Sequence, residues 1–511
     1  MKIIEGIKKY SNTDRTALMC NGDKLSYKDL NEYSDAISVF LKDVYKEEDT
    51  PIVIYGNKEN MIMACMIGAL KSGRAYVPLD ISFPIDRVFE VTKEIKPKVL
   101  FNFSDEKDFG DINVIDMDKL NYIINEYQGK SLDKENWVKD DENAYILFTS
   151  GSTGKPKGVQ ISSNNLDSFS DWISPYLNID GSEKVIMNQP AYSFDLSVTT
   201  IYPGLIHGAT LFSISKDVLA DYKELFRQFS ISDIAVWVST PSFAGVCITE
   251  KEFNSKMLPN LESMIFIGEA LSKNLTKELM SRFPNTRIIN GYGPTEATVG
   301  VSVNDMTQKA IDDEKSLPVG YPMSNCKIKI LDEDGNELKE NEKGEIIIIG
   351  PSVSKGYFNN KEKTDEVFFY DEIDGVKWRA YKTGDMGYLL DGNIYYCGRK
   401  DFQIKLNGFR IEIEDIENNL RKVHNVKNAV VLPVYKDEKI AYLKGIVELN
   451  EKNDLSNIKN GMIIKKELGK YIPSYMIPRN ISIISEFPTN INGKIDRKKL
   501  MEIIFIFIYY Y

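Results

Sequence analysis

Apolar and polar positions follow two different rhythms along this chain, and the change from one to the other sets out its organisation. Near the N-terminus the pattern reads helix, strand, helix: Ser26-Tyr27-Lys28-Asp29-Leu30 opens an amphipathic helix, Pro51 to Tyr55 is an apolar strand, and Asn60 to Leu70 is a helix that Gly73 ends. Val77-Pro78-Leu79-Asp80 and Lys98-Val99-Leu100-Phe101 continue the alternation, which predicts parallel sheets with helices on their faces. After about Ser316 the texture changes. Lys327 to Leu331, Gly344 to Ile349 and Gly392 to Cys397 are short β-rich runs punctuated by Asp-Gly turns at 334–335, 374–375 and 391–392, which predicts a small antiparallel or barrel-like unit. A polar stretch, Gly398-Arg399-Lys400-Asp401, follows, and beyond it a helix from Glu412 and a strand from Ala429 to Val434 begin another unit. The predicted fold class is α/β: a large N-terminal domain, 1–398, made of α/β subdomains plus the β-barrel-like unit, a hinge at 399–401, and a small α+β C-terminal domain, 402–511.

Composition bounds what such a chain does. At 511 residues, with about 100–200 per domain, two to four units are expected and a single small binding module is excluded. The 42% hydrophobic and 27% charged content is that of a globular protein, which excludes a disordered or coiled-coil chain. Lys+Arg 64 against Asp+Glu 75 leaves a net charge of −11, so a broad nucleic-acid contact is not expected. Cys20, Cys65, Cys247, Cys326 and Cys397 have neither disulfide-framework nor zinc spacing and read as small buried thiols. The N-terminus reaches Glu5, Lys8 and Lys9 too soon for a signal peptide, and the longest apolar runs, Met61 to Leu70 and Ile503 to Tyr511, fall short of the about 20 residues that span a bilayer. A cytoplasmic protein with no transmembrane segment is expected.

The buried-strand run Ala144-Tyr145-Ile146-Leu147-Phe148 empties into Thr149-Ser150-Gly151-Ser152-Thr153-Gly154-Lys155-Pro156-Lys157-Gly158. Glycines let the backbone approach an anion, the hydroxyls of Thr149, Ser150, Ser152 and Thr153 donate to phosphate oxygens, and Lys155 and Lys157 neutralise charge. The spacing is not that of a P-loop, and a lone Gly/Ser stretch is also compatible with a solvated turn.

The run from Ile146 to Gly158 resembles the signature loop of the adenylate-forming superfamily of acyl-CoA synthetases, luciferases and amino-acid adenylation domains, and further motifs follow in that family's order. Asn290-Gly291-Tyr292-Gly293-Pro294-Thr295-Glu296 is similar to its adenine and magnesium motif. There Asn290, Gly293, Pro294 and Thr295 shape the ATP site, Tyr292 offers a stacking face, and Glu296 is a hard oxygen ligand suited to Mg²⁺. Tyr381-Lys382-Thr383-Gly384-Asp385 resembles the ribose motif, with Asp385 accepting from the hydroxyls. Gly398 to Lys405 and Asn407 to Glu412 resemble the hinge motif: Arg399 contacts ribose and phosphate, Asp401 is the pivot about which a mobile small domain turns, and Gly408 lines the thiol's path. Pro488 to Arg497 resembles the C-terminal lysine motif, in which Lys494 bridges the substrate carboxylate and the α-phosphate. The resemblance implies ATP and Mg²⁺ as cofactors and covers nearly the whole chain.

In Asn188 to Val198, Asp195 stands where amino-acid adenylation domains keep the carboxylate that binds a substrate ammonium; a helix N-cap before Leu196 is the other reading. The wording of 158–162, 168–173 and 188–198 is most similar to the stand-alone ligases that load D-alanine onto a carrier protein for teichoic acid modification. The chain holds no carrier serine motif and only two histidines, His207 and His424, so the implied partner is a separate carrier protein bearing phosphopantetheine. Phe194, Ile267, Gly268 and Val299 are the remaining predicted substrate-binding residues. Ile267 stands where those ligases have a cysteine, which leaves glycine, L-alanine and D-serine open beside D-alanine; a coenzyme A ligase for a small carboxylic acid is the alternative class. The family pattern does not account for the tail Ile503 to Tyr511.

Overall fold

The computed structural model describes residues 1–46, 49–151, 155–313, 315–401, 403–436, 439–451, 455–488, 497 and 499–500. Ser152, Thr153, Lys494 and the tail 503–511 lie outside the described residues.

The helix–strand alternation builds two sheets. In the seven-stranded sheet, Ile52–Gly56, Tyr76–Asp80, Val99–Asn102, Asn113–Ile115 and Asn143–Thr149 run parallel, and at one edge Lys157–Ser162 pairs antiparallel with Asn143–Thr149 and Gly356–Tyr357 antiparallel with Lys157–Ser162. Every residue of Ile52–Gly56 and Tyr76–Asp80 is buried, as continuous apolar runs in a two-face-covered parallel sheet require. The helix Asn60–Lys71, apolar almost all round, is buried from Ile62 to Lys71. It lies so close to the helix Tyr27–Val44 that a Cβ on Gly68 would meet Ile37 Cγ2 at 2.6 Å.

The nine-stranded sheet sets the site. Its strands Val185–Asn188, Ile234–Ser239, Ser263–Phe266 and Arg287–Tyr292 are parallel, so the segments after Asn188, Ser239, Phe266 and Tyr292 emerge side by side at one edge. Ligands in α/β sheets bind at this carboxyl edge.

The β-rich unit predicted after Ser316 is a five-stranded antiparallel sheet of Lys327–Leu331, Gly344–Ile349, Phe368–Ile373, Val376–Leu390 and Asn393–Arg399. Two of its Asp-Gly pairs are tight two-residue turns with both residues at positive φ: Asp374 51° and Gly375 79°, and Asp391 50° and Gly392 75°. At Asp334-Gly335 only the glycine, at 87°, is left-handed.

From residue 404 onward the chain packs into its own core, joining Ile404, Leu406, Ile411, Ile416, Val431, Leu443, Leu468 and Ile481. It comprises the hairpin Gln403–Leu406 and Phe409–Glu412, the helices Ile413–Leu420 and Asn457–Leu468, and a sheet of Val426–Lys436, Lys439–Leu449 and Asn480–Ile484. The strand predicted over 429–434 is thus longer at both ends. All five cysteines are free; Cys397 is half-buried and the rest are buried. Among the described residues no helix is long and apolar enough to cross a membrane.

Candidate active site

The phosphate-loop candidate joins two antiparallel strands, Asn143–Thr149 and Lys157–Ser162. Gly151 is obligatory there, because a Cβ would meet the Lys155 carbonyl oxygen at 2.0 Å. Thr149 Oγ1 donates to the Lys157 carbonyl at 3.5 Å, closing the hairpin. The polar groups that a phosphate would take are held by the small domain. Ser150 Oγ donates to the Arg410 carbonyl and accepts from the Glu412 N–H, both at 3.1 Å, and Lys157 Nζ lies 3.5 Å from Glu412 Oε1. Burial, helped by the Arg410 charge, pushes the Lys157 ammonium below its ordinary value.

Glu296, in the short 3₁₀ turn Thr295–Ala297, is fully buried. Tyr357 donates its hydroxyl to Glu296 Oε1 at 2.8 Å, and Arg410 Nη1 reaches Oε2 at 2.5 Å. Burial alone would raise this carboxyl, but Arg410 and Lys157 outweigh it and hold it at about 2. A single hard carboxylate suits Mg²⁺ when phosphate oxygens complete the shell, and no group of three or more potential ligands exists among the described residues, so Glu296 fits the ion as part of a phosphate complex. In the observed arrangement the Arg410 guanidinium already occupies Glu296 Oε2.

Among the residues predicted to meet the ribose, Tyr292 donates its hydroxyl to Asp385 Oδ2 at 2.7 Å and Arg399 Nη1 donates to Asp385 Oδ1 at 2.8 Å. Arg399 also grips Asp401 with Nε and Nη2, each at 2.7 Å. Burial raises and this double contact lowers the Asp401 carboxyl, and the contact wins. Asn290 donates to the Pro318 carbonyl at 2.9 Å and its buried Oδ1 has no partner among the described residues.

Asp195 opens the 3₁₀ turn Asp195–Ser197 ahead of the helix Val198–Ile206, and its side chain caps neither. It is buried, at 7% exposure, and accepts from Thr295 Oγ1 at 2.6 Å. Burial holds its carboxyl above the usual carboxylate range despite that bond. Among the described residues it has no ion pair. It faces a small cavity, which Phe194, Ile267, Gly268, Gly293, Pro294, Thr295, Val299, Asp385, Arg399 and Gly408 also line. Predicted substrate, ribose and thiol-path residues are therefore brought to one space. Ile267, 1% exposed, fills room that glycines leave: a Cβ on Gly291 would meet its Cγ1 at 2.9 Å, and one on Gly300 its Cδ1 at 3.4 Å. Thr149 and Ser150 line a second cavity, which shares Phe194, Asp195, Thr295 and Arg410 with the first and runs beneath Phe409 and Tyr475.

The hairpin Gln403–Glu412 supplies what sequence reasoning missed. Gln403, Lys405 and Arg410 line the cavity, and Arg410 and Glu412 bind Glu296 and Lys157. The signal was period-two alternation: Ile404, Leu406 and Ile411 face the small-domain core, so the polar residues between them face outward. Lys405 makes no ion pair among the described residues, and burial lowers its ammonium against the pull of Asp385 and Asp195.

The AMP-binding enzyme family model matches residues 8–358, and the AMP-binding enzyme C-terminal domain model matches 415–494. A D-alanine–D-alanyl carrier protein ligase of Bacillus cytotoxicus is 44% identical over 505 residues, 98% of this chain and 99% of that relative. An artificially fused adenylation–PCP di-domain from Klebsiella oxytoca shares the fold at TM-score 0.82 and 23% identity, over 94% of this chain and 93% of that one. A Vibrio cholerae adenylation domain in complex with glycyl-adenosine-5'-phosphate does so at TM-score 0.82 and 21% identity, over 98% and 97%.

Proposed function

The chain belongs to the AMP-binding enzyme family, and from that premise we propose that it activates D-alanine with ATP and transfers the D-alanyl group to a phosphopantetheine thiol on a separate carrier protein. The relatives 44% identical to it are named for this activity, and teichoic acid is the eventual acceptor that the family resemblance implies. The observation that carries the reading is Asp195, a buried carboxylate that faces the cavity and makes no ion pair among the described residues, Lys405 and Arg410 acting on it only through their field. A carboxylate costs several kcal/mol to bury unpaired, and an amino acid's ammonium is the partner that offsets this. A coenzyme A ligase for a plain carboxylic acid has no use for it. Ile267, buried in the wall of the same cavity, favours a small side chain.

In the first step Asp195 binds the ammonium and orients the amino acid. Its carboxylate oxygen forms a bond to the α-phosphorus, the α–β phosphoanhydride bond breaks, and pyrophosphate leaves with that electron pair. Ser150, Lys157 and the loop between them hold the triphosphate, and Lys494 steadies the attacking carboxylate. Mg²⁺ held by Glu296 would neutralise phosphate charge. In the second step the small domain, 402–511, turns about Asp401 relative to 1–398 and brings the Gly408 turn to the cavity. The thiolate sulfur attacks the carbonyl carbon, the C–O bond to the phosphate breaks and AMP leaves, while the thiol proton passes to solvent. Arg399 and Lys405 supply positive charge to the departing phosphate.

Amino-acid-dependent ATP–pyrophosphate exchange tests this, with D-alanine, L-alanine, glycine and D-serine compared at equal concentration. D-alanine is expected to dominate, and Asp195→Ala to lose at least about thirtyfold in kcat/KM, the effect of leaving a buried charge unpaired. Exchange supported by short carboxylic acids and untouched by Asp195→Ala would instead assign the coenzyme A ligase class.

A further inference from the structure

We propose that Glu269 is a positioning residue for the transfer step, its carboxylate joining one backbone N–H from each domain and so fixing the Asn407–Gly408 turn against the aminoacyl cavity. The inference rests on the two-step reading above. Glu269 Oε1 accepts from the Gly408 N–H at 2.6 Å, and Oε2 accepts from the Ser242 N–H at 3.0 Å. The two donors lie 166 positions apart in the chain, one in the small domain's hairpin and one at the start of the helix Pro241–Cys247 in the large domain.

Each partner is placed for this by its local structure. Glu269 and Ser242 follow the neighbouring parallel strands Ser263–Phe266 and Ile234–Ser239, which are in register at Ser239 and Phe266, so both leave the same carboxyl edge of the sheet. Gly268, at φ 103°, turns the chain there in a conformation that favours glycine. Across the gap, Asn407 and Gly408, at φ 52° and 86°, form a two-residue turn between Gln403–Leu406 and Phe409–Glu412. In such a turn the ladder pairs the flanking residues, here Leu406 and Phe409, and leaves the second turn residue's N–H without a partner in the hairpin. Glu269 supplies that partner. The approach also excludes a side chain at 408, because a Cβ there would meet Thr240 Cγ2 at 2.5 Å. Gly408 is a cavity wall and Glu269 is not, so Glu269 acts on the reaction through the turn it holds.

The contact exists in the domain arrangement that brings the turn to the cavity, so its loss should slow transfer and spare adenylation. Glu269→Gln keeps the shape but replaces one acceptor oxygen with a donor, and Glu269→Ala removes both. In either full-length variant, ATP–pyrophosphate exchange with D-alanine is expected within about twofold of wild type. Single-turnover transfer from the preformed D-alanyl adenylate to pantetheine is expected to fall about tenfold to hundredfold, the effect of losing a hydrogen bond to a charged acceptor. Equal losses in both steps, or no loss in transfer, would overturn the proposal. Amide hydrogen exchange in the 403–412 hairpin gives a readout that needs no substrate. It is expected to quicken in Glu269→Gln and stay slow in the wild type, and equal rates in the two proteins would also overturn the proposal. If no amino acid supports exchange in the wild type, the functional reading fails while this second readout still decides the role of Glu269 as a latch.

Discussion

Single residues show how far chemistry can be read before folding is known. Asp195 and Ile267 could be singled out because their positions in ordered motifs carry a charge or a bulk that the neighbouring residues do not explain, and the structure places both on one cavity. Lys58 did not: it sits between a strand and a helix, with nothing in its surroundings to mark it. In the structure it is 2% exposed, donates to Asn188 Oδ1 at 3.1 Å and the Pro190 carbonyl at 2.6 Å, and lies 3.9 Å from the Tyr192 ring centre. It therefore ties the first sheet to the segment that delivers Asp195. Burial pulls its ammonium from 10.5 down to about 7. Between those values the unfolded chain binds the proton and the folded chain does not, so folding stability rises with pH through that window, by up to about 1.4 kcal/mol per pH unit. Urea unfolding of wild type and Lys58→Met at pH 7, 8 and 9 checks this. The difference, wild type minus variant, is expected to climb with pH, and parallel curves would contradict it.

At the scale of elements, strands and tight turns were legible because their signals are local: the apolar runs at 52–56 and 76–80, and the Asp-Gly turns at 374–375 and 391–392. The hairpin Gln403–Glu412 was legible as a motif but not as a charge device, because the partners of its charges lie more than a hundred residues away. In the observed arrangement its strand Phe409–Glu412 places a cation, Arg410, on Glu296 and an anion, Glu412, on Lys157. That is the charge order of a metal ion and a phosphate on the same two residues. Pyrophosphate with Mg²⁺ and this strand should accordingly exclude one another. Adding Mg²⁺ and pyrophosphate together is expected to speed hydrogen exchange in 403–412 by at least about tenfold, whereas either alone does less. In Glu412→Gln, whose strand no longer carries the anion, a lower pyrophosphate concentration should give half the effect. A wild-type hairpin indifferent to both ions would show that the two do not compete.

For the whole molecule, the family order of motifs implied a large and a small part, and the structure adds how one is packed on the other. Among the described residues, polar contacts at several places hold that packing, three of them without a shared partner. Glu269 meets Gly408, Arg410 meets Glu296, and Arg87 on the helix Ile85–Ile95 meets the buried Asp415 of the helix Ile413–Leu420 at 3.4 Å. Burial raises the Asp415 carboxyl and Arg87 opposes that rise, so the pair stands only while the domains stay docked. Removing one partner of a buried pair strands the other's charge, which penalises the docked state by several kcal/mol at full burial. Arg87→Met is therefore expected to slow transfer to pantetheine by about tenfold or more while ATP–pyrophosphate exchange persists, as in Glu269→Gln. If docking is a single two-state equilibrium, contacts with no shared partner act on it independently and their free energies add. The double variant Arg87→Met/Glu269→Gln should then show at least the product of the two fold-losses in transfer. A double variant no slower than the worse single one would mean that the hairpin and the helix Ile413–Leu420 move separately, and that the small domain does not turn as one body.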